Sequence, residues 1–422
     1  MKILLVAYQF CPRGQVGTRR WSKFAKYLAD KGYEVHVICA EYPKKDRVNW
    51  CHDVENNPKI IIHRIDGKFP TSLLSANRTF KVKLLDRIHK HSTHYLDIAQ
   101  QWGRVLMPFA KKLIEKQSIK NVIVTAAPFT PMIFMAQLKE QLPQLNLIFD
   151  MRDPWEFYLK GEFAAFDRWR KKVALKNEHF AFEKADTVLF ISDLFKKEYS
   201  ERHPNWKDKF EVVHNGFDVD DFKLVQGEPK SNFKMVYLGS LMLERTEALI
   251  ELARAIQSLD DEFINENLVI DLYSHNFVRP NLEDEKLQAI FDKHFQLQKT
   301  VSVSEVPNVL AKYEYCLSIN AKQHANAFGV KTFDYMGLNK KIVLISSFLS
   351  LLCSTAFGQK PQSKNLPKFD HQVVHFGFLL GINNSNFVLE RQPETFSGSD
   401  SLFVLEAKPA TGFNLGIISS LH

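Results

Sequence analysis

The sequence has 422 residues, 45% hydrophobic and 25% charged, which suits a globular chain of about two ordinary domains. A formal charge of +8 points to anionic partners such as phosphate groups, nucleic acid or a membrane face. Five scattered cysteines without a Cys-x-x-Cys pair argue against a zinc ribbon or a disulfide framework and fit a reducing compartment, and no ordered mixture of aromatic and basic residues marks a nucleic-acid motif.

Ile3 to Ala7 is apolar but too short for a signal core, and it reads as a first strand. A loop with Pro12, Gly14 and Gly17 follows. Trp21, Phe24, Ala25 and Leu28 then recur at i, i+3, i+4 and i+7, the spacing of a helix, which Lys31-Gly32 closes. Strands are expected at Glu34–Cys39, Ile60–Ile65, Asn121–Thr125, Leu145–Asp150 and Thr187–Ser192, with helical stretches between most of them. This alternation predicts a mainly parallel sheet covered on both faces. Basic residues cluster at Arg78–Lys90 and Lys160–Lys176. The first cluster also holds Phe80, Val82, Leu84, Leu85 and Ile88, and reads either as a solvated helix face or as a surface resting on an anionic bilayer.

The pattern restarts at Lys234–Ser240, continues through a helix at Glu247–Leu259, and gives strands at Leu268–Tyr273, Tyr315–Ile319 and Lys341–Ile345. Phe222–Ser231, with Gly227 and Pro229, is the best linker. The expected organisation is therefore a Rossmann-like domain over 1–221, a second over 232–345, and a divergent or poorly ordered tail over 346–422. Two such halves would leave a cleft beyond the carboxyl ends of their strands. From Ser346 onward charges become sparse, and no strong helix is evident between Gln359 and His422. A divergent domain end, a loose tail and an upstream reading-frame error all fit. The longest uncharged stretch, Ile342–Gln359, carries four serines, a cysteine and a threonine and makes a poor membrane span.

The chemistry concentrates at Ala327–Gly337. Gly329 precedes a helical segment whose first N–H groups would attract an anion. Lys331 would add a full charge on a phosphate, and Asp334, three residues on, could accept hydrogen bonds from sugar hydroxyls. Such a set suits a nucleotide with a diphosphate and a ribose; an ordinary amphipathic helix is the plain alternative. The Gly14–Gly17 loop is not a Gly-x-Gly-x-x-Gly fingerprint, and no P-loop is present. Asp150 and Asp153 flank Arg152 at a strand end, either as part of a site or as an ion pair tying the loop down. Asn215-Gly216 is a turn, and Gly239, Ser240 and Arg245 follow a strand, where Arg245 could meet a diphosphate. His89, His91 and His94 are better read as part of a basic helix than as metal ligands.

In this order, Asp150–Trp155, Asn215-Gly-Phe-Asp218, Tyr237-Leu-Gly-Ser240 and Gly329-Val-Lys-Thr-Phe-Asp-Tyr335, after a glycine-containing loop and an Arg19-Arg20 helix, resemble the retaining GT-B glycosyltransferases of group 1 (GT4-like) over roughly residues 1–345. The resemblance implies the GT-B fold, an acceptor-side N-terminal domain and a C-terminal nucleotide-sugar domain. It implies a hexosyltransferase-type enzyme that moves a sugar from a nucleotide-sugar donor to a glycan or a polyprenyl- or lipid-linked acceptor with retention, in bacterial surface polysaccharide or lipopolysaccharide synthesis. The nucleotide sugar is a co-substrate; no cofactor, metal or nucleic acid is implied. The expected location is cytoplasmic, with peripheral contact at the inner face of an anionic plasma membrane. By this likeness Gly239, Ser240, Arg245, Phe328, Gly329, Val330 and Lys331 hold the donor and Asp334 its ribose. Gly17, Arg152 and Asp153 face sugar and acceptor, with Asp153 and Arg152 the candidates for the reacting region. Where the family often spaces two glutamates eight apart, this sequence has Asn326 and Asp334, and the family's closing helix is not evident in the tail. A GT-B protein that binds sugar nucleotides without turnover and a sugar-nucleotide epimerase are the alternatives.

Overall fold

The computed structural model describes residues 1–12, 16–41, 49–68, 79–92, 95–155, 164–223, 225, 233–241, 243–259, 261–320, 329–346, 374–385 and 410–421. Contacts divide the chain into two compact units: Met1–Val236 with Lys299–Cys316 and Asn326–Ile342, and Tyr237–Gln298 with Leu317–Ala325 and Val343–His422.

The chain begins with β1 (Lys2–Val6), α1 (Val16–Asp30), β2 (Glu34–Glu41), α2 (His52–Glu55) and β3 (Ile60–Asp66). Helices α3 (Phe80–His91) and α4 (Gln100–Gln117) lead to β4 (Asn121–Thr125), α5 (Thr130–Gln141), β5 (Asn146–Met151), α6 (Ala164–Lys184), β6 (Thr187–Phe190), α7 (Asp193–Arg202) and β7 (Phe210–Val212). The seven strands form one sheet in the order β3-β2-β1-β4-β5-β6-β7, and all six pairings are parallel. The order steps outward from β1 and reverses between β1 and β4, the Rossmann plan that places a ligand-binding crevice at the carboxyl ends flanking β1. Leu4, Val6, Val122, Val124, Leu147 and Phe149 bury one face of this sheet beneath α4 and α5, while Leu5, Val35 and Val37 bury the other beneath α1 with Trp21 and Ala25. The helices on the first face sit close: a Cβ on Gly103 of α4 would lie 2.0 Å from the Phe134 ring on α5, so only glycine fits.

The remainder runs β8 (Lys234–Leu238), α8 (Leu243–Leu259), α9 (Glu262–Asn267), β9 (Val269–Tyr273), α10 (Glu285–His294), β10 (Phe295–Gln298), α11 (Val306–Ala311), β11 (Tyr315–Asn320), α12 (Val330–Gly337), β12 (Lys341–Ser346), β13 (Val374–Ser385) and β14 (Ala410–Leu421). The second sheet has the order β10-β9-β8-β11-β12, again reversing beside its first strand. Its β10–β9 and β11–β8 pairs are parallel. The expected α/β class with two Rossmann-like sheets is therefore observed. β13 and β14 form a separate antiparallel pair, Val374 opposite Leu421 and Ser385 opposite Ala410, which interrupts the strand–helix alternation where the sequence loses its charges.

Besides β13 and β14, two strands of the parallel sheets escape the sequence pattern. β7 has three residues and merges into the Val-His-Asn-Gly turn, and β10 is a four-residue strand following α10 directly. Both lie at the end of their sheet, where few residues are needed to complete a ladder. The Phe222–Ser231 linker falls mostly outside the described residues.

Candidate functional site

The first unit's charged groups gather on one side of α1. Arg19, Lys23 and Lys26 recur at i, i+4 and i+7 and so share a helix face. Arg19 Nη1 donates to Asp334 Oδ1 at 2.6 Å, and its Nη2 donates to Asp221 Oδ2 at 2.9 Å. Lys23 Nζ lies 2.5, 2.8 and 2.5 Å from carboxylate oxygens of Asp53, Asp218 and Asp221. Lys26 pairs with Asp218 and Asp220, and Tyr27 donates its hydroxyl to Asp218 at 2.7 Å. Asp53, Asp218 and Asp221 have the spacing of a metal-ligand group among the described residues. The Lys23 ammonium contacts all three and supplies their positive partner.

These contacts set the local acidities. Burial alone would raise the Asp218 carboxyl, but Lys23, Lys26 and Tyr27 outweigh it and hold the group well below the usual carboxylate range. Burial alone would lower Arg19 and Lys23, yet their carboxylate partners raise both. Asp334 is 8% exposed. Burial pushes its carboxyl up against the pull of Arg19, and Asp221 adds to the rise.

Arg20 turns to a second anchor. Its Nη2 donates to Asp150 Oδ1 at 3.0 Å and to the Val213 carbonyl at 2.8 Å, and its Nη1 donates to the His214 carbonyl at 2.9 Å. Asp150 is fully buried and also accepts from Trp21 Nε1 at 2.6 Å and Thr125 Oγ1 at 2.9 Å. The cation paired with Asp150 at this strand end is Arg20. Arg152 donates to the carbonyls of Ala126, Gly17 and Ala127. A Cβ on Gly17 would lie 2.9 Å from Arg152 Nη1, so this glycine admits the guanidinium to the start of α1. Asp153, next in the chain, is half-buried beside this clamp. Trp155 closes the segment, stacked on Phe129 with centroids 4.9 Å apart.

Gly329 caps α12 with no side-chain hydrogen bond, and among the described residues nothing lies within 4 Å of a Cβ built on it. Val330 and Lys331 form the first turn of α12 and are half-buried. Lys331 lies near enough to Asp334 to pull its carboxyl pKa down, against the effect of burial. The other end of α12 is packed: a Cβ on Gly337 would meet the Phe222 ring at 2.4 Å. Phe328, Gly14, His94 and Asn326 lie outside the described residues.

In the second unit, the loop after β8 is braced from three sides. The Ser240 carbonyl accepts from the Tyr237 hydroxyl at 2.9 Å and from Arg245 Nη1 at 3.0 Å, and Asn276 Nδ2 donates to Ser240 Oγ at 2.6 Å. Gly239 leaves room for the Tyr237 hydroxyl, which a Cβ there would approach to 2.9 Å. Burial raises the Tyr237 hydroxyl above its ordinary acidity range, against the influence of Arg245.

The structure thus joins Asp334, Arg19 and Asp221, and separately joins Gly17 with Arg152. Arg19, Lys23 and Asp221 were missing from the sequence-derived set. Their signal was present in the i, i+4, i+7 cations of α1 and in the acidic run Asp218-Val-Asp-Asp221.

Residues 18–221 match the family model described as Glycosyltransferase Family 4. The matched stretch starts at the first turn of α1 and ends at Asp221, so it encloses most of the ion-pair cluster. No curated protein matches the sequence significantly. Among solved structures, a glycosyltransferase from Rickettsia africae ESF-5 is similar at 11% identity and a TM-score of 0.46, covering 81% of this chain and 78% of that one. The apo lipopolysaccharide outer core galactosyltransferase WaaB is similar at 15% identity and 0.45, covering 82% and 80%. A point mutant of S. aureus TarM in complex with UDP is similar at 9% and 0.46, covering 82% and 85%.

Proposed function

We propose that the protein is a glycosyltransferase that moves a sugar from a nucleotide-sugar donor to a glycan or lipid-linked acceptor, with retention of the anomeric configuration. The observation that carries this is the family match over residues 18–221, which encloses the α1 cluster and the Asp150–Trp155 segment. The wider role is in making a bacterial surface polysaccharide or lipopolysaccharide, following the order of motifs in the sequence.

The chemistry follows from where charge develops. When the bond to the anomeric carbon breaks, negative charge builds on the departing nucleoside diphosphate. Preorganised cations and helix-start N–H groups stabilise such charge without reorganising. Lys331, with the N–H groups at Gly329 and Val330, takes this role. Asp334 accepts a ribose hydroxyl while Arg19 fixes the carboxylate's orientation. Arg152 and Asp153 shape the reacting region from the side of Gly17. The departing phosphate itself guides the acceptor hydroxyl.

A thermal-shift screen of the full chain against UDP-, GDP-, ADP- and CMP-sugars tests this reading. One nucleotide class should raise the melting temperature, since ligand at a hundredfold its Kd adds about 2.7 kcal/mol. No shift with any of them overturns the proposal. A second reading, donor binding without transfer, is favoured by Asp334 standing where the family it resembles has a glutamate. Acceptor-dependent release of nucleoside diphosphate separates the two: transfer requires it, and a binder gives none.

A further inference from the structure

The helix α3 is built inside out for a protein in water. Phe80, Leu84 and Ile88 recur at i, i+4 and i+8, with Leu85 alongside, and are 81%, 49%, 53% and 49% exposed respectively. Asp86 stands two residues from Leu84 and from Ile88, hence on the opposite side of the helix, and is buried at 8% exposure. Its apolar stripe therefore faces outward and its carboxylate inward. An ordinary surface helix does the reverse. Thr79 caps the helix, its hydroxyl accepting from the Val82 N–H, so the orientation belongs to a formed helix.

The charges around the stripe select its occupant. Lys81, Lys83 and Arg87 are exposed on the same helix, and its one acidic residue is turned away. An apolar strip flanked by cations matches the interface of an anionic bilayer, where side chains enter the acyl boundary and ammonium groups meet lipid phosphates. Among the described residues no helix is long and apolar enough to cross a membrane. We propose that α3 is a bilayer-docking element that lies flat on anionic lipid, inserting Phe80, Leu84, Leu85 and Ile88 while Lys81, Lys83 and Arg87 contact headgroup phosphates. Its test needs no activity.

The experiment is co-sedimentation of the full chain with vesicles of phosphatidylcholine alone and with about one third phosphatidylglycerol. Binding should require the anionic lipid and weaken as salt rises. Leu84→Ser with Ile88→Ser should cut partitioning about tenfold or more with the melting temperature unchanged, and Lys81→Glu with Lys83→Glu should do likewise. Lys172→Glu with Lys176→Glu, an equal charge change at exposed positions on α6, should leave binding nearly intact. The proposal is overturned by failure to bind anionic vesicles, by equal loss from the α6 and α3 changes, or by a lower melting temperature in the serine variant, which would show the stripe packed against the chain itself. A dimer that the serine variant dissolves without lipid would assign the stripe to a second copy instead.

Discussion

The helices α1 and α3 carry similar sequence character and opposite structural solutions. Each is basic and amphipathic. In α1, Trp21, Ala25 and Ala29 are buried against the sheet, and the cations Arg19, Arg20, Lys23 and Lys26 are spent on carboxylates and carbonyls of the same unit. In α3 the apolar residues are outside, and the buried polar group is an acid. Composition alone does not tell a helix that holds a protein together from one that offers a surface to something else. The difference lies in which partners the rest of the chain supplies. Asp150 and the acidic run at 218–221 supply them for α1.

That contrast can be broken from the strong end. Asp150→Ala removes the acceptor of three buried donors and leaves Arg20 without its carboxylate, so it should cost about 3–5 kcal/mol in urea unfolding. A loss below about 1 kcal/mol would mean that α1 is not anchored there. Arg19→Ala leaves Asp334 and Asp221 adjacent without their shared cation and should cost about 2 kcal/mol, since both partners retain some solvent contact. A double-mutant cycle with Asp334→Asn should return a coupling of about 1 kcal/mol or more; additivity would show the two groups to be independent.

Acid should separate the helices next. The folded carboxyl of Asp218 lies below its unfolded value, near 3.9, so its stabilisation is fully present above that pH and is lost as pH falls through the acid range. Asp220, lowered by Lys223 and Lys26, acts in the same sense. Stability should therefore decline below about pH 4, and Asp218→Asn should flatten that slope while lowering stability at neutral pH. An unchanged slope would remove Asp218 from the account. The smallest effect belongs to α3: Leu84→Ser with Ile88→Ser should move unfolding stability by no more than about 0.5 kcal/mol, as surface changes do.

Much of this architecture is legible in the sequence, for reasons that particular segments show. β4 falls at Asn121–Thr125 as its apolar run predicts, and α1 holds Trp21, Phe24, Ala25 and Leu28 as their spacing predicts, because local periodicity and burial agree there. Short strands such as β10 owe their state to a neighbouring strand and leave little trace of their own. The site divides in the same way. Gly329, Lys331 and Asp334 are visible because three such residues within six positions suggest a purpose. The engagement of Asp334 by Arg19, 315 positions away in sequence, is invisible without the fold. Arg152 teaches a related lesson. Its place between two acids suggests an ion pair; the fold adds three carbonyls that it donates to, and gives Asp150 to Arg20.

Calorimetric titration with the nucleoside diphosphate found by the sugar-nucleotide screen, into the native chain and Lys331→Ala, bears on donor recognition with the fewest intervening steps. A charge-assisted phosphate contact contributes about 1.5–3 kcal/mol, so the variant should bind roughly ten- to hundredfold more weakly with its melting temperature intact. Equal affinity for the two proteins would contradict the assignment of the α12 start to the donor phosphates, and with it the proposed transfer.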